Sequence, residues 1–154
     1  MNAKDPNLTK EIAAKSAVNL QYAALCFRTL DHKTQILLIT SRNTGRWVIP
    51  KGWPISGFDG AGAAQQEAWE EAGVTGEIWP TALGQFTYDK ILDDGSACPC
   101  LVEVFPLRVK RLANSFPEHG QRQRAWFSPG KAACRVNEPG LAGLLEGFDI
   151  RQLS

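Results

Sequence analysis

The chain has 154 residues, of which 44% are hydrophobic and 21% charged, with a formal net charge of +1. That length suits one domain burying about 68–70% of its unfolded surface, and the composition excludes a disordered or low-complexity protein. So small a net charge gives no reason to expect a nucleic-acid partner held by bulk electrostatics.

Residues 1–17 are polar and lack the apolar core of a signal peptide. They read as a separate N-terminal segment, and residues 18–154 as one domain without an internal repeat or a dividing linker. No run is long enough to cross a bilayer, so a cytoplasmic location without a membrane partner is expected. Cys26, Cys98, Cys100 and Cys134 form no CxxC pair and read as reduced thiols.

"LQYAALCFR" is fit for a buried strand, and "QILLITS" follows it as a second after the polar "TLDHKT". "RWVIPKGW" reads as a short strand ended by Pro50 and Gly52. The glycine-rich "ISGFDGAG" then leads into a helix containing "QQEAWEEAGV". Beyond Gly73, "EIWPTALGQFTYDK" and "ACPCLVEVFPLRV" read as a hairpin turning on "LDDGS". "RAWFS" is a last short strand, and Ser128 with Pro129 gives an N-cap and a first-turn proline. "NEPGLAGLLEGF" predicts one further helix or two short ones. Strands on either side of a central helix, with helices at the end, predict a mixed α/β layered domain.

On the central helix, Glu67, Glu70 and Glu71 project to one side, because residues three and four apart share a face. Ala61, Ala64, Ala68 and Ala72 fall on an adjoining face and allow a close seat on a sheet, and Gly73 supplies the left-handed residue that ends many helices. Like charges at this spacing destabilise an isolated helix by about 0.2–0.5 kcal/mol per pair. The alternatives are a solvated acidic face and a site for a hard divalent cation. Mg²⁺ takes oxygen ligands and is held by one or two carboxylates together with substrate phosphates. A glycine-rich loop before the helix favours the second.

The run from Gly52 to Val74 resembles the Nudix box: Gly, any five residues, Glu, any seven, then Arg-Glu-hydrophobic-x-Glu-Glu-x-Gly-hydrophobic. Gly52 fits the first glycine, and Glu67, Ala68, Glu70, Glu71, Gly73 and Val74 fill the second half in register. "AALCFR", "SRNTGRWVIPKG" and "RQRAWFS" are similar to segments of the diphosphoinositol polyphosphate phosphohydrolase branch, so the likeness runs from about Gln21 to Ser128. It implies a Nudix α/β/α sandwich with a mixed sheet and a catalytic loop-helix-loop. It also implies Mg²⁺- or Mn²⁺-assisted attack of water on a pyrophosphate link in a small molecule. Under the resemblance Glu70 and Glu71 are metal ligands, and Glu67 is a further ligand or the general base. The Lys51 carbonyl is an additional ligand, and Glu118, in the loop before the last strand, is a weaker candidate. Arg42 and Arg122 match phosphate-contacting arginines of that branch; Lys51 and Gly52 join them as substrate contacts.

Two box positions depart from the pattern. Phe58 stands where the first glutamate is expected and Gln66 where the arginine is expected, with Asp59 one residue away as a candidate to reach inward. Losing both members of an ion pair leaves no buried charge unpaired. A competent enzyme is therefore expected, the alternative being a fold that binds a phosphorylated ligand without turnover. Asn19 and Gln21 are neutral where the inositol branch is basic. That favours a less charged pyrophosphate, such as a dinucleoside polyphosphate or another nucleoside diphosphate derivative, over a diphosphoinositol polyphosphate. Trp53, Phe86, Tyr88 and Phe116 are candidate platforms for a base. Arg124 is a further candidate contact if its segment is extended, and Trp47, Trp69 and Trp126 read as packing.

Overall fold

A computed structural model describes residues 19–153, so the expected N-terminal segment lies outside the described residues. Two long strands carry the sheet. β1 (Asn19–Leu30) runs parallel to β7 (Ala97–Leu112), in register from Asn19 opposite Cys100 to Phe27 opposite Arg108. A parallel pair buried on both faces needs near-continuous apolar sequence, which "LQYAALCF" and "LVEVFPL" supply.

Shorter strands attach to these two. β2 (Lys33–Thr40) forms a hairpin with the end of β1 and also pairs with β3 (Trp47–Val48) and β8 (Arg124–Phe127). β4 (Lys51–Gly52) pairs with the start of β1. Along β7, the first half pairs with β6 (Gly84–Ile91) and the second with β5 (Val74–Ile78). The predicted single strand from Glu77 to Lys90 is thus two, serving opposite ends of β7. Pro80, with no N–H to give to a ladder, falls at the break. Pro50 likewise separates β3 from β4, so "RWVIPKGW" divides between two partners.

Side chains alternate across the sheet. Leu20, Tyr22, Ala24 and Cys26 face a core shared with α1 (Gly60–Ala72). Ala23, Leu25 and Phe27 face a second core, closed by α2 (Pro129–Arg135) and α3 (Pro139–Glu146). A mixed sheet covered on both faces is the predicted α/β/α sandwich. Ser128 caps α2 as expected, its side chain accepting from the Lys131 N–H, and a 3₁₀ turn, Ile150–Gln152, closes the described chain. Among the described residues no helix is long and apolar enough to cross a membrane.

A bulge between Thr75 and Gly76 lets β5 follow β7. A Cβ on Gly76 would lie 2.0 Å from the carbonyl oxygen of Arg108, main chain that cannot yield without moving the strand. Gly76→Ala is expected to destabilise the fold by about 1–3 kcal/mol, the usual cost of overpacking. Urea unfolding measures this, and an unchanged midpoint would refute the close approach.

Candidate active site

α1 begins at Asp59, which is extended (φ −77°, ψ 178°) and accepts from the Gly62 N–H at 2.7 Å. Asp59 is therefore the N-cap and does not reach toward the glutamates, a correction to the expectation for it; the capping geometry outcompetes that role. Phe58 beside it is 50% exposed. At the other end Gly73 adopts φ 68°, ψ 26° and gives its N–H to the Ala68 and Trp69 carbonyls, the predicted left-handed stop. Between them Ala61, Ala64, Ala68 and Ala72 are buried on the sheet. Gly60 allows the approach: a Cβ there would meet the Tyr22 ring at 2.7 Å.

The close seat of α1 fixes its acidic face. Glu71 is 7% exposed and is hydrogen-bonded to Glu67. The Gly52 main chain lies directly against Glu67, since a Cβ would sit 2.4 Å from its carboxylate. The peptide joining Lys51 to Gly52 therefore borders the same spot. Glu70 accepts the Glu118 N–H on its carbonyl at 3.0 Å, which docks the loop before β8 on the helix.

Arg122 stands among these groups with only 9% of its side chain exposed. Its Nη1 donates to the Thr40 carbonyl (3.1 Å) and its Nε to Glu118 Oε1 (3.1 Å), while Nη2 lies 3.1 Å from Glu118 and 3.7 Å from Glu71. Arg42 lies outside it, 57% exposed, 3.7 Å from Glu118 and donating to Gln121 at 3.4 Å. A shallow cleft of about 390 Å³ runs past Thr40, Arg42, Gly120 and Arg122.

Burial pushes the Glu71 carboxyl up to about 8; the Arg122 guanidinium opposes this, and the hydrogen bond and charge of Glu67 add to it. Burial also raises Glu67, which its hydrogen bond to Glu71 partly offsets. Without a metal, Glu71 is therefore the carboxyl that favours its protonated form near neutral pH. Among the described residues no three acidic, His or Cys side chains close on one point at ligand geometry; the carboxylates surround the guanidinium instead. Their chemistry nonetheless fits a hard divalent cation. Every donor is oxygen, and the main chain at Gly52 approaches Glu67 as closely as only glycine permits.

β4 connects this cluster to the other face of the sheet. Gly52 pairs with Tyr22 on the α1 side, while Lys51 pairs with Ala23 on the side of α2 and α3. There the Lys51 Nζ lies 5.1 Å from the Tyr88 ring centroid. Burial lowers the Lys51 ammonium, against the pull of Glu71 and Glu138. Tyr88 donates its O–H to Gln21 at 2.7 Å, and Asn19 bonds Cys98 Sγ at 2.9 Å. Trp53 is 43% exposed, with the Lys90 Nζ 5.7 Å from its ring centroid. Phe86 and Phe116 are buried and serve as packing. Arg124 is extended in β8 but is spent on the Ala72 and Ala113 carbonyls, both at 2.9 Å, where it holds the end of α1. Lys90 and Glu138 were not among the residues singled out from sequence. Strand alternation sets Lys90 on the same face as Tyr88 and is the signal that reveals it.

The NUDIX domain family matches residues 19–148. Nudix hydrolase 13, mitochondrial, of Arabidopsis thaliana is 33% identical over 123 residues, covering 77% of this chain and 61% of that protein. Diphosphoinositol polyphosphate phosphohydrolase 3-alpha of Mus musculus is 39% identical over 107 residues, covering 68% of this chain and 61% of that protein. The chain thus spans 61% of the length of each of these relatives. Among solved structures, a C. elegans Ap4A hydrolase superposes with a TM-score of 0.61 at 21% identity, covering 84% of this chain and 94% of that one. The NUDIX domain of Shewanella oneidensis NrtR, complexed with ADP ribose, gives 0.60 at 15%, covering 95% and 97%. At these identities the structural likeness speaks for the fold.

Proposed function

The chain belongs to the NUDIX domain family, and from that premise we propose that it is a Mg²⁺- or Mn²⁺-dependent hydrolase of a pyrophosphate link in a small molecule. The substrate is a nucleoside diphosphate derivative, a dinucleoside polyphosphate or a diphosphoinositol polyphosphate. The observation that carries this reading is the gathering of Glu67, Glu71 and Glu118 at the end of a helix seated against the main chain of Gly52.

The proposed metal donors are the carboxylates of Glu67, Glu70 and Glu71, the Lys51 carbonyl and, more weakly, Glu118. A bound divalent ion supplies neutralisation of phosphate oxygens and a more acidic water. The chain supplies the rest. Glu67 and Glu71, hydrogen-bonded to one another, include the base that accepts a proton from the attacking water. Arg42, Arg122, Lys51 and the Gly52 main chain are the proposed contacts for phosphate oxygens, and Arg122 also balances the charge of Glu71 and Glu118. Positioning and electrostatics of this kind account for most of the catalysis in phosphoryl transfer.

The second reading, a binding module without turnover, rests on Phe58 and Gln66. Phe58 faces solvent and Asp59 caps the helix, so the altered half of the box leaves the glutamate end in place. The test is product release with and without Mg²⁺ from diadenosine polyphosphates, nucleotide sugars, ADP-ribose, capped RNA and a diphosphoinositol polyphosphate. Metal-dependent turnover of one class is the expected result. Ligand-induced stabilisation without product would establish the binding module.

A further inference from the structure

We propose that Trp53 is the seat of a nucleobase, so that the pyrophosphate taken by this site is carried on a nucleoside and not on a polyphosphorylated ring. The inference rests on the pyrophosphate reading for the place of the phosphates and adds what must lie beside them. Of the four aromatic side chains that sequence offers as a platform, Phe86 and Phe116 are 4% and 8% exposed. Tyr88 is only partly exposed, and its hydroxyl is committed to Gln21. Trp53 alone of the four presents a large ring to solvent, and it belongs to neither core.

Its position is set by the site itself. Trp53 follows Gly52, whose main chain abuts Glu67, and its ring lies beneath the Lys90 ammonium. Lys51, the residue before, has both Glu71 and Lys90 within its electrostatic surroundings. Around the two-residue β4, from its α1 side to the side of Tyr88, the chain therefore presents carboxylates, the Lys51 and Lys90 ammonium groups and an exposed indole. A metal-bound phosphate, a second phosphate and a flat aromatic base occur in that order in a nucleoside diphosphate. A highly phosphorylated ring would instead need many cations, and the start of β1 offers none. There Gln21 is buried on Tyr88, and Asn19 is bonded to Cys98 and to the Pro99 carbonyl at 3.4 Å.

The test is equilibrium binding in Mg²⁺ of α,β-methylene-ADP, which resists hydrolysis, against methylenediphosphonate, which has the same linkage without the nucleoside. The intact chain is expected to prefer the nucleotide, and Trp53→Ala to weaken nucleotide binding by roughly 5- to 150-fold, the range for one base on an aromatic side chain. Binding of methylenediphosphonate stays unchanged, and Trp53→Phe keeps most of the preference. No preference in the intact chain, or a preference that survives Trp53→Ala, overturns the proposal. Turnover does not enter the measurement, so a site that binds the nucleotide through Trp53 but releases no product would refute the hydrolase alone.

Discussion

Glu71→Gln is expected to lower metal-dependent turnover by about 100-fold or more and, in the same protein, to raise the melting temperature of the metal-free form at pH 7. The first half follows from the proposed ligand set, since residues that merely support a ligand already cost 10–100-fold when replaced. The second follows from burial. The Glu71 carboxyl is raised from its ordinary 4.5 to about 8 in the folded chain, chiefly by desolvation. Between those values the folded protein keeps a proton that the unfolded chain has released, so stability falls as pH rises through that window. Glutamine has no proton to lose. The variant's stability should therefore stay flat from about pH 4.5 to 8 where the parent declines, and the two should converge below 4.5. Thermal melts across pH without metal, paired with product assays in Mg²⁺, check both. A variant that is inactive but no more stable at pH 7 would show that Glu71 is ionised in the metal-free protein.

Arg122→Gln should produce the opposite stability change. The guanidinium is held by Thr40 and faces Glu118 and Glu71 with little exposure. Its loss leaves carboxylates around a site that has lost its cation. Removing one partner of a buried pair costs about 3–5 kcal/mol; because Glu118 is 22% exposed, about 2–3 kcal/mol is the fitting figure after solvent screening. For a domain of this size that is roughly 5–10 °C of melting temperature. Mg²⁺ should restore more stability to the variant than it adds to the parent, because the cation replaces the missing charge. Arg122→Lys, which keeps the charge but not the planar fork, should fall between. An equal Mg²⁺ shift in parent and variant would show that Arg122 does not balance the glutamates.

The elements legible from sequence were those set by local chemistry. The alanine face, the Gly73 stop, the Ser128 cap and the apolar runs of β1 and β7 each depend on residues a few positions apart, and each appears where expected. Helix spacing likewise sets Glu67 beside Glu71, whereas Glu118 is brought near only by the loop docked on the Glu70 carbonyl. What escaped depends on distant partners. Arg122 turns inward because it meets the carbonyl of Thr40, 82 positions earlier. Arg124 is committed to Ala72, 52 positions earlier, and no periodicity announces either contact. Asp59, expected to reach inward beside Phe58, instead caps α1 by accepting the Gly62 N–H. The single strand expected across Pro80 is two, and which end of β7 each piece takes is set by long-range pairing.

β4 is only two residues long, and its consecutive side-chain positions point to opposite faces of the sheet. Gly52 meets the acidic cluster while Lys51 meets Tyr88. Chain length is therefore constrained there in a way the surrounding sequence is not. One residue added between Pro50 and Gly52 would exchange the two faces, turning a side chain into Glu67 and withdrawing the ammonium from the other side. Length variation among descendants of this sequence should therefore spare the dipeptide.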